Sequence, residues 1–327
     1  MRFQKIWPLV ITISIVSLFA RYGISLAQTS RLKVSYSAFD ATFLPLWVAE
    51  EKGIFKSVGL DLEITYGRGG SSTAQSLQAK SIDIAVIGGG PIEANLAGGD
   101  LIYIAAYVTT PVFTMFATKD IRSIDDLKGK NIGTTSAASA TEYATMLSLK
   151  KNGLDPHKDA KIIFTGGIDN TLASLSQGLI QAGVLGGPSV IATRKSGFKE
   201  LLNIASLRIP FIHEGVAVRK AFLQEQRDAV KRFMRGFILG IRQTKSDKVL
   251  SQRMIEKYLK LKDPEVIEGG YDEIVDYMAP EPFVPKEAIQ NILTLVAERL
   301  PQAKTASPER FYDNSILNEL RAEGFFK

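Results

Sequence analysis

Short apolar runs alternate with helix-like stretches along the first third of the chain. Compact apolar runs typical of buried strands occupy residues 32–39, 60–66, 82–87 and 101–107. Helical periodicity is found between them, at residues 44–54, 73–79 and 91–97. Because a strand–helix–strand order implies right-handed crossovers and a mainly parallel sheet, we predict an α/β lobe in this part of the chain.

The same alternation starts again near residue 116, where residues 112–118 carry the chain out of the first lobe. A short capped helix is expected at 123–126. Further strands are expected at 131–135, 161–165 and 182–185, and helices at 140–151, 171–177 and 190–195. This second cycle predicts a second α/β lobe.

The character changes after His213, because the remaining chain has only helical patterns. They cover residues 222–244, 251–259, 264–277 and 286–300. A chain of 327 residues is long enough for two cores. We predict a first lobe made of 28–115 and 214–327, with the C-terminal helices wrapped on it, and a second lobe made of 116–213.

The N-terminus has the order of a secretory signal peptide. Arg2 and Lys5 precede an apolar run over residues 6–20, and the small residues Ser25 and Ala27 end the segment. The run is short for a membrane span, although Arg21 directly after it keeps an uncleaved anchor open as the alternative. We expect residues 1–27 to be a signal peptide cleaved after Ala27, and the mature protein to be periplasmic.

Charge and cysteine content narrow the functional classes. Removal of residues 1–27 takes away three basic residues and no acid, so the formal charge falls from +6 to +3. The remaining Lys and Arg are mixed with Asp and Glu, which argues against a nucleic-acid surface. The chain has no cysteine, which excludes disulfides, thiolate chemistry and the lipidated cysteine of a tethered lipoprotein. A soluble, non-lipidated protein without nucleic-acid partners is expected.

Glycine- and hydroxyl-rich loops follow the predicted strands. They occupy residues 67–73, 88–91, 134–139, 166–170 and 186–189, and each leads into a predicted helix. Glycine lets the backbone approach a ligand, and the following helix offers unpaired N–H groups. Since ligands bind at the carboxyl ends of strands in open α/β sheets, two such lobes predict a cleft lined by hydrogen-bond donors.

Individual loop residues have both a ligand-binding and a structural interpretation. Arg68 is the single cation of these loops, where it either pairs with a carboxylate, sulfonate or phosphate or faces solvent. Direct pairing predicts that Arg68→Ala weakens anion binding about tenfold or more. Phe43 either contributes an aromatic wall or packs as a hydrophobic staple on the next helix. Capping boxes are expected at residues 72–75 and 139–142, so Ser139 serves either its helix or a ligand.

At these residues the sequence resembles the periplasmic binding proteins of nitrate, sulfonate and taurine importers and the related thiamine-precursor binders. The matching segments are FLPLWVAEEKGIF (43–55), VGLDLE (58–63), AKSIDIA (79–85), DLKGKNIG (126–133) and the Gly187-Pro188 turn. The resemblance spans most of the mature chain. It implies an α/β fold of the type II periplasmic-binding-protein class, with two lobes joined by two hinge crossings near residues 114–117 and 212–216.

The resemblance also implies a binding pocket between the lobes. By position, the pocket would be formed by Phe39, Asp40, Thr42, Arg68, Gly70, Ser71, Gly89, Ser136, Ser139, Thr141, Asn170 and Pro188. His213 lies where the chain is expected to recross the cleft, and ligand contact is expected there as well. With only His157 and His213 as imidazoles and no paired-cysteine pattern, no metal site, cofactor or catalytic residue is expected.

The function implied is that of the extracytoplasmic solute-binding subunit of an ABC importer. It would act as a monomer, capture a small molecule by lobe closure and deliver it to permease and ATPase subunits at the inner membrane. The solute is either an anion such as a sulfonate, nitrate or carboxylate, or a flat pyrimidine or thiamine precursor. Two alternatives stay open: an enzyme on the same fold, of the thiamine-pyrimidine synthase or menaquinone-pathway lyase type, and a ligand-sensing adaptor for a membrane signalling partner.

Overall fold

A computed structural model describes residues 30–297 and 299–327 of the chain. The predicted signal peptide, residues 1–27, lies outside the described residues. Within the described ranges, ten strands form two five-stranded mixed sheets. The strands are β1 (Ser30–Tyr36), β2 (Leu60–Tyr66), β3 (Ile84–Ile87), β4 (Leu101–Val108), β5 (Thr114–Ala117), β6 (Asn131–Thr134), β7 (Lys161–Phe164), β8 (Ala182–Leu185), β9 (Lys199–Asn203) and β10 (Glu214–Arg219).

Thirteen helices cover these sheets within the described ranges. They are α1 (Leu44–Glu51), α2 (Ile54–Ser57), α3 (Gly70–Gln78), α4 (Pro91–Leu96), α5 (Ala140–Lys151), α6 (Ile168–Ser176), α7 (Pro188–Lys195), α8 (Lys220–Glu225), α9 (Arg227–Ser246), α10 (Lys248–Leu259), α11 (Pro264–Val275), α12 (Lys286–Val296) and α13 (Ser315–Ala322). Short 3-10 turns lie at Ala41–Phe43, Ile124–Leu127, Ile204–Leu207, Pro301–Lys304 and Pro308–Phe311.

Each sheet is parallel except for one strand, and that strand follows a crossing between the sheets. The first sheet has the order β2-β1-β3-β10-β4, in which β10 is antiparallel to both neighbours. The second has the order β7-β6-β8-β5-β9, in which β5 is antiparallel to both neighbours. The type II periplasmic-binding-protein fold with two lobes is therefore confirmed. The finer lobe boundaries at residues 115/116 and 213/214 stay a prediction.

The long helix α9 shows how the C-terminal region packs on the first sheet. Its buried residues include Phe233, Phe237 and Ile241, which recur every four positions and so share one face. Phe233 stacks on Phe55 of α2, and Phe237 meets Tyr107 of β4 edge to face. The helix thus covers one side of the first sheet and joins its core.

Several predicted elements need correction. The predicted helix 222–244 is two helices, α8 and α9, because the backbone at Gln226 leaves helical geometry without a proline or glycine to signal it. Helix α3 begins at Gly70, so Ser72 lies inside it and is not its cap. Ser139 does cap α5, since its Oγ accepts the Glu142 N–H at 3.2 Å. The apolar pattern did not predict strands β5, β9 and β10, and the segment around β5 was predicted only as a crossing between the lobes.

Candidate functional site

A cavity of about 210 Å³ lies between the two sheets. It is formed where the loops after β1, β2, β3, β6 and β7 meet, together with residues of the two crossings between the sheets. These loops follow the carboxyl ends of parallel strands, which is the ligand-binding edge of open α/β sheets. The cavity is therefore the candidate functional site.

The structure brings ten of the thirteen predicted site residues to this cavity. Those on the side of the first sheet are Phe39, Asp40, Thr42, Gly70, Gly89 and His213, and those on the side of the second sheet are Ser136, Ser139, Thr141 and Asn170. Arg68, Ser71 and Pro188 do not line it. Arg68 is exposed, the Ser71 hydroxyl donates to the Ala137 carbonyl, and Pro188 begins α7 against Gly270.

An aromatic pair forms part of the first-sheet side. Phe39 contacts Tyr66 with ring centroids 4.1 Å apart and ring planes tilted by 37°, and 47% of Phe39 is exposed. Such exposure is unusual for a phenylalanine in a folded lobe, and the ring lines the cavity. Phe43, by contrast, is fully buried in the first core, which agrees with its structural interpretation.

Two buried carboxyls also line this side, Asp40 and Glu214, each 5% exposed. Asp40 caps a 3-10 turn, because its Oδ1 accepts the Thr42 N–H at 2.9 Å. Glu214 is the first residue of β10, and its Oε2 is buried without a hydrogen-bond partner. Burial raises the pKa of Asp40, and burial together with the charge of Asp40 raises the pKa of Glu214 well above its usual range.

The two crossings run side by side beneath the cavity. The His213 N–H donates to the Val108 carbonyl at 2.9 Å, and its Nδ1 accepts the Val112 N–H at 2.8 Å. The His213 ring stacks on Phe113 at 4.3 Å. Burial lowers the pKa of His213 to about 3, so the ring is neutral at neutral pH. Because Nδ1 is an acceptor, the proton lies on Nε2, and the ring is a hydrogen-bond donor.

The second-sheet side consists of hydroxyls and helix starts. Thr141 Oγ1 lies 2.9 Å from both Thr135 Oγ1 and Ser139 Oγ and accepts the Thr135 N–H at 2.9 Å. These three hydroxyls satisfy one another and the start of α5. Ser136 differs from them, because its buried Oγ has no hydrogen-bond partner. Residues 166–170, at the start of α6, complete this side.

Sequence reasoning missed several lining residues, of which Glu214, Tyr66 and Phe113 matter most. Glu214 stands next to a predicted site residue, and recognition of β10 would have placed its side chain at the carboxyl edge of the first sheet. Tyr66 ends a correctly predicted strand, so its position alone was a usable signal. Phe113 lines the cavity and stacks on His213, a contact between residues distant in the sequence that no local pattern reveals.

Within residues 30–297 and 299–327, no group of three or more His, Cys, Asp or Glu side chains is arranged to hold a metal ion. No helix in the same ranges combines the length and hydrophobicity needed to cross a lipid bilayer.

The family follows from these features and from comparison with known sequences. The NMT1/THI5-like family model matches residues 40–247, which is more than half of the chain, so the protein belongs to this family. A relative, "Putative binding protein YtlA" of Bacillus subtilis (strain 168), is 24% identical, and the match covers 95% of this chain and 94% of YtlA.

Solved structures share the fold at low sequence identity. The alkanesulfonate-binding protein SsuA of Xanthomonas axonopodis pv. citri, bound to MOPS, is 20% identical with a TM-score of 0.72, over 84% of this chain and 95% of SsuA. The desulfurization enzyme DSZB is 13% identical with a TM-score of 0.62, over 90% of this chain and 99% of DSZB. The fold therefore occurs in both a binding protein and an enzyme.

Proposed function

We propose that this protein is the extracytoplasmic solute-binding subunit of an ABC importer. It captures a small molecule by closure of the two lobes and presents it to a permease, while a separate subunit hydrolyses ATP. The observation that carries the proposal is the inter-lobe cavity, which holds buried unpartnered oxygens on both sides, Thr42 Oγ1 and Glu214 Oε2 from one and Ser136 Oγ from the other. Buried polar atoms are normally hydrogen-bonded, so these three indicate a ligand that completes them.

Close contacts between the lobes around the cavity support the closure step. A Cβ atom at Gly89 would lie 1.7 Å from the Ala138 carbonyl oxygen, so only glycine allows this approach. Across the opening, Gly187 packs against the Asp40 carboxylate. At one side Arg299 pairs with Glu142 of α5 at 3.1 Å and also with Glu93 of α4. Contacts of this kind favour a closed form once a solute adds its own contacts to both lobes.

The residues that line the cavity favour one of the two solute classes considered from the sequence, an anion or a flat heterocycle. Of the described residues that line the cavity, none is Lys or Arg, and two are buried carboxyls. The tilted pair Phe39–Tyr66 and the stacked pair Phe113–His213 add aromatic rings to the wall. This supports a flat molecule over a sulfonate, nitrate or carboxylate anion.

The cellular setting of the proposal rests on the sequence. A signal peptide over residues 1–27 would export the chain to the periplasm, where a soluble monomer exchanges its solute with the inner-membrane permease. Loss of uptake of the identified solute in a strain that lacks this gene, with restoration by the gene, tests the transport role. Unchanged uptake together with loss of a signalling response would instead favour the sensing adaptor.

The enzyme alternative shares the fold but needs a catalytic group. His213 accepts the Val112 N–H at Nδ1 and keeps its proton on Nε2, so it is poorly placed to act as a base. A thermal-shift screen separates binder from enzyme, with alkanesulfonates, nitrate, carboxylates, pyrimidines and thiamine precursors as the panel. A solute at about 100 times its Kd should add about 2.7 kcal/mol of stability. Recovery of that solute unaltered supports a binding protein, and turnover to a product contradicts it.

Closure is tested directly by X-ray scattering with the solute from that screen. The solute should shrink the radius of gyration of the wild-type protein but not that of Gly89→Ala, whose new methyl group meets the Ala138 carbonyl. Ser81→Thr is the control, because it adds a methyl group at an exposed position that does not line the cavity. Equal shrinkage in Gly89→Ala and wild type would contradict closure at this contact.

A further inference from the structure

The charged groups around the cavity are all of one sign. Among the described residues that line it, Asp40, Asp169 and Glu214 are acidic and none is Lys or Arg. Asp40 and Glu214 are almost completely buried, whereas Asp169 is exposed. Arg68, the cation that the sequence placed near the site, is exposed and lies outside the lining.

Neither buried acid has a cationic partner within the described ranges. None of the ion pairs there includes Asp40 or Glu214. Asp40 accepts one backbone N–H, and Glu214 Oε2 accepts nothing. A buried carboxylate without a partner is strongly unfavourable, and a second carboxylate nearby adds repulsion. Protonation relieves both penalties in the empty site, and a positive group between the two carboxyls would relieve them with the carboxylates ionised.

The aromatic rings around these acids fit the same kind of group. Phe39 and Tyr66 form a tilted pair with centroids 4.1 Å apart on one part of the wall, and Phe113 and His213 stack at 4.3 Å at the crossings. The negative faces of aromatic rings attract cations, and the attraction grows when water is excluded. Carboxyls combined with ring faces therefore form a site for an organic cation.

We propose that the solute is an organic cation of about single-ring size, whose positively charged nitrogen group binds between Asp40 and Glu214. This inference rests on the proposed solute-binding function and names its ligand class. The size follows from the cavity volume of about 210 Å³, since a 150 Å³ cavity holds one benzene ring. The Ser136 and Thr42 hydroxyls and the Nε2–H of His213 bind the polar remainder of the molecule.

An anion fits this arrangement poorly. The donors that line the cavity are neutral: hydroxyls, the Nε2–H of His213 and backbone N–H groups at the starts of α3, α5 and α6. Among the described lining residues there is no Lys or Arg to pair with the charge of a sulfonate or carboxylate. An anion would have to bind with both buried acids protonated, whereas a cation is attracted by their ionised forms and stabilises them.

A charge series of equal shape tests the inference. Benzamidine, benzamide and benzoate are single-ring molecules that differ mainly in charge, from positive through neutral to negative. In isothermal titration calorimetry of the purified protein at neutral pH, we expect benzamidine to bind at least about tenfold more tightly than benzamide. Benzoate should bind more weakly than both.

Variants connect this preference to the carboxyl pair. Glu214→Gln and Asp40→Asn should each reduce the ratio of benzamidine to benzamide affinity about tenfold, because each removes one charge while it keeps the shape. Glu225→Gln, at an exposed site on α8, is the matched control and should keep the wild-type ratio. A melting curve for each variant verifies folding, and the use of two separate carboxyl variants covers the failure of one to fold.

The outcomes separate the two proposals. Tighter binding of benzoate or an alkanesulfonate than of benzamidine overturns the cation inference and leaves the solute-binding function in place. If benzamidine fails to bind while a neutral or anionic solute binds saturably, the cation inference is also overturned and the solute-binding function is kept. Absence of any saturable ligand, both in this series and in the broader panel, overturns the solute-binding function and the inference together.

Discussion

The two sides of the cavity differ in chemistry although both lie at the carboxyl ends of parallel strands. The first-sheet side carries buried carboxyls and paired aromatic rings, represented by Asp40, Glu214 and Phe39. The second-sheet side carries hydroxyls at the start of α5, most of which satisfy one another, and a single unpartnered oxygen on Ser136. Under the proposed function, we expect the first side to select the solute by charge and shape and the second side to add neutral contacts on closure.

The largest effect should follow removal of charge from the first side. We expect the double variant Asp40→Asn/Glu214→Gln to weaken binding of the cationic solute about a hundredfold, because two charge-assisted contacts are lost. Calorimetry with benzamidine measures this change. Asp169→Asn removes an exposed acid from the second side and should change affinity less than about threefold, given the small contribution of exposed charges. Equal losses of benzamidine affinity in the double variant and in Asp169→Asn would contradict the difference between the two sides.

Acid should destabilise the folded protein through His213, which lies on the first-sheet side of the cavity. Its pKa is about 3 in the folded protein and about 6.5 in the unfolded chain, so between these values the unfolded chain binds the extra proton. The free energy of unfolding therefore falls as pH decreases, by about 1.4 kcal/mol per pH unit. Asp40 and Glu214 have raised pKa values and act in the opposite direction, since protonation on acidification favours their folded forms.

The histidine contribution is isolated by comparison with His213→Gln. The variant should be less stable than wild type at neutral pH. The difference between their free energies of unfolding should narrow by about 1.4 kcal/mol for each pH unit below about 6.5. Both proteins keep the neighbouring carboxyls, so their opposite effect is common to the two curves. Urea unfolding of both proteins at several pH values measures this difference in the free energy of unfolding. A constant gap would show that the imidazole is not buried as a neutral ring.

A smaller effect separates two serines on the second side. Ser136→Ala should weaken solute binding about fivefold, or about 1 kcal/mol, with little change in melting temperature, because its Oγ has no partner in the protein. Ser139→Ala should instead lower the stability by about 1 kcal/mol, because it removes the cap of α5. Calorimetry measures the solute affinity of both variants, and urea unfolding measures their stability. Loss of stability in Ser136→Ala together with loss of affinity in Ser139→Ala would contradict these roles.

The smallest effect is expected at Arg68. Its side chain is exposed and outside the cavity, so Arg68→Ala should change solute affinity less than about twofold. The direct anion pairing considered from the sequence predicts about a tenfold loss. Titration of the variant with benzamidine and with an alkanesulfonate decides between a solvent-exposed Arg68 and direct pairing of Arg68 with an anion.

The sequence predicted the fold because periodicity reports local structure. Strand β2, helix α5 and strand β8 were placed with their observed bounds, and the glycine loops after β2, β3, β6 and β7 do meet at the cavity. Strand β10 was missed, since its buried position depends on β3 and β4 more than a hundred residues earlier in the chain.

The charge of the site was harder to predict than its location. Arg68 and the N–H-rich loops favoured an anion, because a sequence lists cations without showing which way they face. Glu214 adjoins a predicted residue, yet its burial and its proximity to Asp40 arise only from tertiary packing. The character of the pocket therefore depends on contacts that local patterns do not encode.

The most direct test of the account is the identity of the solute that copurifies with the protein. Protein purified without denaturation is analysed by native mass spectrometry, and the released molecule is identified after unfolding, for wild type and for Asp40→Asn/Glu214→Gln. The account predicts a small organic cation in wild type that is absent from the double variant. An anionic solute retained equally by both proteins would contradict it.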